Sequence, residues 1–403
     1  MSAARDQNFF KVEGNLGTSS YIPALDGLRA VSIILVMLSH FGLRAVPGLF
    51  GVTVFFFISG FLITQQLLQE IGRTGTIQLG LFYIRRLLRL YPALIVAVAC
   101  GAGAYAALGG NLTMMDSLSA VFYFANYNDW FGGNQPTVQN VSHPFTVLWS
   151  LAVEEHYYVV FPLLMLLCAR SKSALISVVV LAIIVVGCWR ADVAWTCHQD
   201  PSGCVGLAQL RIEHGTDTRA DSILYGALLA VLLASSHRQR LLALIRSHAS
   251  FAIGIAMLLV GFVIRDSLFR DSIRYCIQGG GLFLCIGGLL FSERLALLRR
   301  AVSWHWLIMV GRWSYSLYLW HWIVRMVAGA VLPTRLWMPV LDPWIPPVYW
   351  LVTVLPLLFL CSFAAAVLSY TYVERPMLVL RRRFGSQVIA DSDAFASEVT
   401  MVG

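Results

Sequence analysis

Ten stretches of the chain, at about residues 28–46, 50–69, 87–109, 145–168, 173–190, 219–236, 249–264, 275–291, 307–332 and 347–373, are apolar with few charges. Each is close to the roughly 17–25 residues that a helix needs to cross a bilayer. Only a helix or a closed barrel satisfies its own backbone polar groups in hydrocarbon, and runs of this length suit helices. The chain is therefore expected to be all-α, a polytopic integral membrane protein with about ten transmembrane helices. The composition excludes a soluble alternative: 58% of residues are hydrophobic and 12% charged, whereas a soluble domain carries about 25% charged residues. The segment 113–128, "TMMDSLSAVFYFANYN", is short and polar for a span and reads as a re-entrant or interfacial helix.

Loop charge predicts the orientation. Arg73, Arg85, Arg86, Arg89, Arg170, Lys172, Arg238, Arg240, Arg246, Arg294, Arg299 and Arg300 fall in alternate loops, and Arg375 and Arg381–Arg383 follow the last span. The long loop from about 110 to 146 has no Lys or Arg. The positive-inside rule then puts both termini in the cytoplasm. It also accounts for the net charge of +8 without a nucleic-acid partner. A polar segment (1–20), a membrane domain (21–380) and a cytoplasmic tail (381–403) are expected, with no cleavable leader, since the first twenty residues lack a short apolar core. Of the eight cysteines, Cys197 and Cys204 share a polar loop and would pair in an oxidising compartment. No spacing points to a metal.

An ionisable group at a helix centre in the bilayer costs roughly 2.5–3.5 kcal/mol, so the polar residues inside these stretches need a reason. Arg29 and His40 stand eleven positions apart in "LDGLRAVSIILVMLSH", three helical turns plus about 20°, on one face and roughly 16 Å apart. Alone, Arg29 reads as a snorkelling anchor and His40 as a satisfied polar residue; together they read as a lined path. Asp26 can cap the helix or pair with Arg29. Arg86 and Arg89 in "RRLLRLYP" share a face; they form either an ordinary basic flank or a grip for a phosphorylated ligand. Ser150 and Glu154 in "WSLAVEEHYY" stack one turn apart, and Glu154 calls for a partner, an arginine or a substrate. Arg219 and Asp221 stand at the mouth of the sixth span, where Gly226 permits close helix approach. "SYSLYLWH" carries Ser314, Tyr318 and His321, and "YVERP" carries Glu374, which is placed to hold a basic residue.

In order, these stretches resemble the acyltransferase 3 family of polytopic membrane O-acyltransferases, over about residues 21–380. Arg29 and His40 match its Arg, ten residues, His signature. "GVTVFFFISGFLIT" matches its second-span pattern, with Thr53 where many members have Asp. Arg86 and Arg89 match its Arg-x-x-Arg element. The resemblance implies transfer of an acyl group, often acetyl, from cytoplasmic acyl-CoA to a hydroxyl of an exported glycan or lipid-linked sugar at a bacterial plasma (inner) membrane. Cellulose-type exopolysaccharide and O-antigen are among the acceptors, and the chain reads as the stand-alone type without an esterase-like domain. No tightly bound cofactor is implied; acyl-CoA is the donor substrate. A base must activate the hydroxyl, and His suits neutral pH. The expected roles are His40 as general base, or as covalent carrier, Arg29 on the oxyanion or donor phosphates, and Arg86 and Arg89 on the CoA phosphates. Ser150, Glu154, Arg219, Asp221, Ser314, Tyr318, His321 and Glu374 are expected to support the site or bind the acceptor. The same polar stripe would also suit a transporter or flippase of a glycan intermediate, or a non-catalytic subunit of a polysaccharide synthase complex.

Overall fold

Helix α1 (Pro23–His40) begins with proline in its first turn, where a missing N–H costs nothing, and with Asp26 at the positive end of the helix dipole. A computed structural model of the chain describes residues 21–138, 141–168, 171–200, 207–332 and 348–384. The expected first span ran to residue 46, but α1 stops at His40. Gly42 there adopts φ of 110°, a conformation open to glycine that turns the chain. His40 therefore closes the helix rather than lying within it.

The remaining helices are α2 (Gly48–Thr74), α3 (Leu79–Ala107), α4 (Met114–Val121), α5 (Ala125–Trp130), α6 (Trp149–Leu167), α7 (Lys172–Gln199), α8 (Leu207–His214) and α9 (Thr216–Leu233). They continue with α10 (Arg238–Ile245), α11 (His248–Val263), α12 (Ser267–Asp271), α13 (Arg274–Phe291), α14 (Ala296–Val302), α15 (His305–Arg312) and α16 (Ser314–Val331). The last helix, α17 (Trp350–Phe384), contains π-helical turns at Trp350–Val354 and Tyr370–Glu374. The second of these turns precedes Pro376, whose missing N–H and ring disturb the ladder there.

A helix stands at each of the ten expected spans. Among the described residues, seven helices are long and apolar enough to cross a membrane, or eight if α8 to α10, bent by 119°, counts as one. The protein is an all-α, multi-pass membrane protein. Two expectations change. The span at 307–332 is broken at Trp313 into α15 and α16, and α15 seats Gly311 directly on the Asp26 carbonyl of α1. Segment 113–128 forms two short helices rather than one, α4 being started by a reciprocal capping box between Thr113 and Asp116. Cys197 is disulfide-bonded, while Cys204 lies outside the described residues.

Helix α2 packs along α9, and α1 sits among α2, α15 and α16, with α3 and α17 behind α16. The α2–α9 crossing is as close as backbones allow. A Cβ on Gly60 would stand 1.9 Å from the Ile223 carbonyl oxygen, and one on Gly226 would stand 1.9 Å from that of Phe57. Large apolar side chains such as Leu181, Ile184, Leu259, Val263, Leu360 and Leu368 face outward, while Arg190, Arg219, Asp221 and His321 are fully buried. This inverted arrangement suits a bundle surrounded by lipid.

Candidate active site

Three guanidinium groups meet in one cavity. Arg29 comes from the first turns of α1, and Arg86 and Arg89 come from successive turns of α3; Glu154 of α6 supplies the carboxylate. The space amounts to about 760 Å³ with its open mouth, and Ser59, Gln66, Tyr158, Ser314, Tyr315, Ser150 and Tyr318 complete its polar wall. Arg86 is anchored: it donates to Gln66 Oε1 at 2.7 Å and lies 5.3 Å from the Tyr158 ring centre. Arg29 stands 3.9 Å from Asp26, one helical turn away. Arg89 makes no hydrogen bond or ion pair to a described residue, so its donors remain for a ligand. Glu154 accepts from Ser59 at 2.7 Å and Tyr158 at 3.4 Å, and no basic group stands within 4.0 Å of it among the described residues. The arginine partner considered for Glu154 is thus replaced by two hydroxyls. With three cations facing one carboxylate in a confined space, the cavity favours an anion.

The inner end of the cavity is closed by a hydroxyl pair. Tyr318 donates to the Val147 carbonyl at 2.8 Å, and its phenol oxygen shares a 2.6 Å hydrogen bond with Ser150 Oγ. Directly behind Tyr318, His321 lies with its ring centre 5.6 Å from the phenol ring. His321 Nε2 is 2.9 Å from His40 Nδ1. His40 and His321 do not line the cavity; one layer of side chains, Tyr318 and Ser150, separates them from it. The polar residues thus form a series from the arginines through Tyr318 to the histidine pair.

The loop between α5 and α6 covers the far side of that pair. Trp322, one turn beyond Tyr318, donates from its indole to the His143 carbonyl at 2.8 Å, and packs edge-on to His40 with ring centres 5.0 Å apart. Arg325 donates to the His40 carbonyl at 2.7 Å and also to Ser142. Asp116, in the first turn of α4, is held below the usual carboxylate range: burial pushes it up, but the Asn134 and Thr113 N–H groups and the Asn128 amide outweigh this. His143, buried 3.8 Å from Asp116, is pushed down to about 4 by burial despite that carboxylate, and so is neutral at pH 7.

Three expected site residues lie elsewhere. Asp221 is fully buried and paired with Arg190 of α7 at 2.8 Å; Arg190 also donates to the Thr218 and Ser272 carbonyls. Arg219 donates to Thr53 at 3.0 Å and lies 4.1 Å from the Tyr275 ring centre. Both are interior struts between helices rather than cavity residues. Glu374, on the π turn of α17, accepts from Ser316 and has no basic group within 4.0 Å among the described residues, so it does not hold the cation expected of it. Arg190, buried, and Arg325, bonded to the His40 carbonyl, are functional candidates outside the set expected from the sequence. Arg190 interrupts the apolar run "LAIIVVGCWRADVAW", and Arg325 follows His321 by one turn; both carried the signal of a charge inside a span.

The relatives of the chain carry transferase names. It is 32% identical over 372 residues to a Staphylococcus aureus (strain COL) protein named "Putative O-acetyltransferase SACOL0978", covering 88% of this chain and 57% of that one. It is 29% identical over 380 residues to the peptidoglycan O-acetyltransferase OatA of Listeria monocytogenes, covering 89% and 56% of the two chains. With the O-acetyltransferase OatA of Staphylococcus aureus (strain NCTC 8325) it shares 29% identity over 391 residues, or 92% and 60% of the two chains. The chain thus spans little more than half the length of these curated relatives. No solved structure matches it. The family model described as an acyltransferase domain matches residues 22–367, from the start of α1 into α17, and the chain belongs to that acyltransferase 3 family.

Proposed function

We propose that the protein is a membrane O-acyltransferase that moves an acyl group, acetyl in the first instance, from acyl-CoA to a hydroxyl of a cell-surface polysaccharide. The observation that carries this reading is the cavity of three guanidinium groups whose inner end stands one side chain away from a paired histidine. Phosphates of the donor bind Arg89, Arg29 and Arg86, at the end of the bundle that the charge rule assigns to the cytoplasm. The thioester arm extends along the apolar and hydroxyl-bearing wall toward Ser150 and Tyr318. Displacement of the Tyr318 side chain opens the last layer to His40, which the acceptor approaches beneath the 110–146 loop. His40 takes the hydroxyl proton as the alcohol oxygen attacks the thioester carbon. The carbon–sulfur bond breaks, and the proton passes from His40 to the departing sulfur.

The names of the relatives make peptidoglycan the first acceptor to test; exopolysaccharide and O-antigen sugars follow. The membrane concerned is the bacterial plasma membrane, and a polysaccharide synthesis or export complex is the natural partner. The test uses the purified protein in nanodiscs with acetyl-CoA and each glycan in turn. Free CoA and ester-linked acetate should appear together, only with a glycan present, and not in His40→Gln. Acetylation that survives His40→Gln undiminished would remove His40 from the reaction. Glycan translocation without any donor would replace transfer by transport.

A further inference from the structure

The hydrogen-bond chain behind His40 ends on a group whose role is not open to choice. His321 Nδ1 lies 3.0 Å from the Leu317 carbonyl oxygen, one turn earlier on α16. A carbonyl oxygen only accepts, so His321 Nδ1 carries the hydrogen. In a neutral ring that leaves Nε2 bare, and Nε2 is the atom 2.9 Å from His40 Nδ1. His40 must then donate from Nδ1, and its own Nε2 is left with a free lone pair. The two ring planes agree within 2°, with centres 5.2 Å apart; with the nitrogens 2.9 Å apart, the rings meet edge to edge in a common plane. That is where an N–H and a nitrogen lone pair both point. Arg325 on the His40 carbonyl, and no carboxylate within 4.0 Å of either ring among the described residues, favour two neutral rings over a second cation. His40 Nε2 makes no hydrogen bond to a described residue.

We propose that His321 is a positioning residue which, anchored by the Leu317 carbonyl, holds His40 in the tautomer whose Nε2 is free to accept a proton. This rests on the reading of His40 as the base. The wrong tautomer would present an N–H to the acceptor hydroxyl and could take nothing from it. When His40 Nε2 gains the alcohol proton, Nδ1–H continues to donate to His321, so the imidazolium keeps its partner; the proton then leaves from Nε2 to the sulfur.

The experiment reads the tautomer directly, by ¹⁵N spectra of imidazole nitrogens in the purified protein in nanodiscs, with the His40 signals assigned by their loss in His40→Gln. Wild type should show His40 protonated at Nδ1 and bare at Nε2. His321→Leu removes the acceptor: His40 should populate both tautomers, and kcat should fall by roughly 10²-fold, the lower range for losing a general base, with donor KM unchanged. His321→Gln returns an acceptor oxygen near the same place and should restore both the tautomer and most of the lost rate. A wild-type His40 protonated at Nε2, or a His321→Leu protein with tautomer and kcat intact, overturns the proposal. A locked tautomer in a protein whose acyl transfer ignores His40→Gln would uphold the lock and overturn the catalytic reading it serves.

Discussion

Replacing Arg89 by glutamine tests the donor site with the least damage to the protein. Arg89 faces the cavity and has no hydrogen-bond partner among the described residues, so its removal leaves no buried acceptor unsatisfied. Arg86, by contrast, holds Gln66 and packs on Tyr158 and Phe82, and its loss would also loosen the wall. A charge-assisted hydrogen bond contributes about 1.5–3 kcal/mol, which corresponds to roughly a 10- to 150-fold change in Kd. Coulomb attraction at 4 Å and an effective dielectric of 20, about 4 kcal/mol before the cost of desolvating the charges, lies above this range and bounds it. Titration calorimetry in nanodiscs should therefore show CoA binding weakened by that factor in Arg89→Gln. The control is pantetheine, which shares the thiol arm but has no phosphate, and its affinity should be unchanged. An equal loss for both ligands would mean that the variant deformed the cavity, and no loss for CoA would place its phosphates elsewhere; either result refutes the assignment.

Asp221→Asn should destabilise the bundle by about 3–5 kcal/mol, because it strands the fully buried Arg190 charge; thermal unfolding in detergent measures this, and an unchanged Tm would deny the pair its role as a strut. Gly226→Leu should prevent the α2–α9 crossing, since even its Cβ would meet the Phe57 carbonyl; recovery of folded, monodisperse protein in wild-type yield would contradict the packing. The segment that holds Asp116 and His143 should weaken in acid. His143 has a folded-state pKa of about 4 against about 6.5 unfolded, so the unfolded chain binds more protons between those values. Stability should fall by about 3 kcal/mol as pH drops through that window. Asp116, depressed when folded, adds a loss below the unfolded carboxylate value. Unfolding followed against pH should show the His143 part flattened in His143→Gln, and an unaltered slope would assign it elsewhere.

Spans and their order were legible because each depends on neighbours in sequence: an apolar run either is or is not as long as hydrocarbon is thick. Local spacing likewise placed Arg86 with Arg89 and Ser150 with Glu154 on shared faces, and the cavity uses all four. Partners were a different matter. His40 bonds a residue 281 positions away, and Asp221 is neutralised from α7 rather than from its own mouth of the bundle. Glu154, read as calling for an arginine or a substrate, and Glu374, read as holding a basic residue, both took hydroxyls. That His40 closes its helix under a loop, one layer beyond the arginine cavity, also came only from the packing. A helix spacing states which side chains share a face. What that face meets is set by which helices cross and how closely, as at Gly60 and Gly226, and in a buried interior that crossing decides which charge finds a partner, which finds a hydroxyl, and which is left for a ligand.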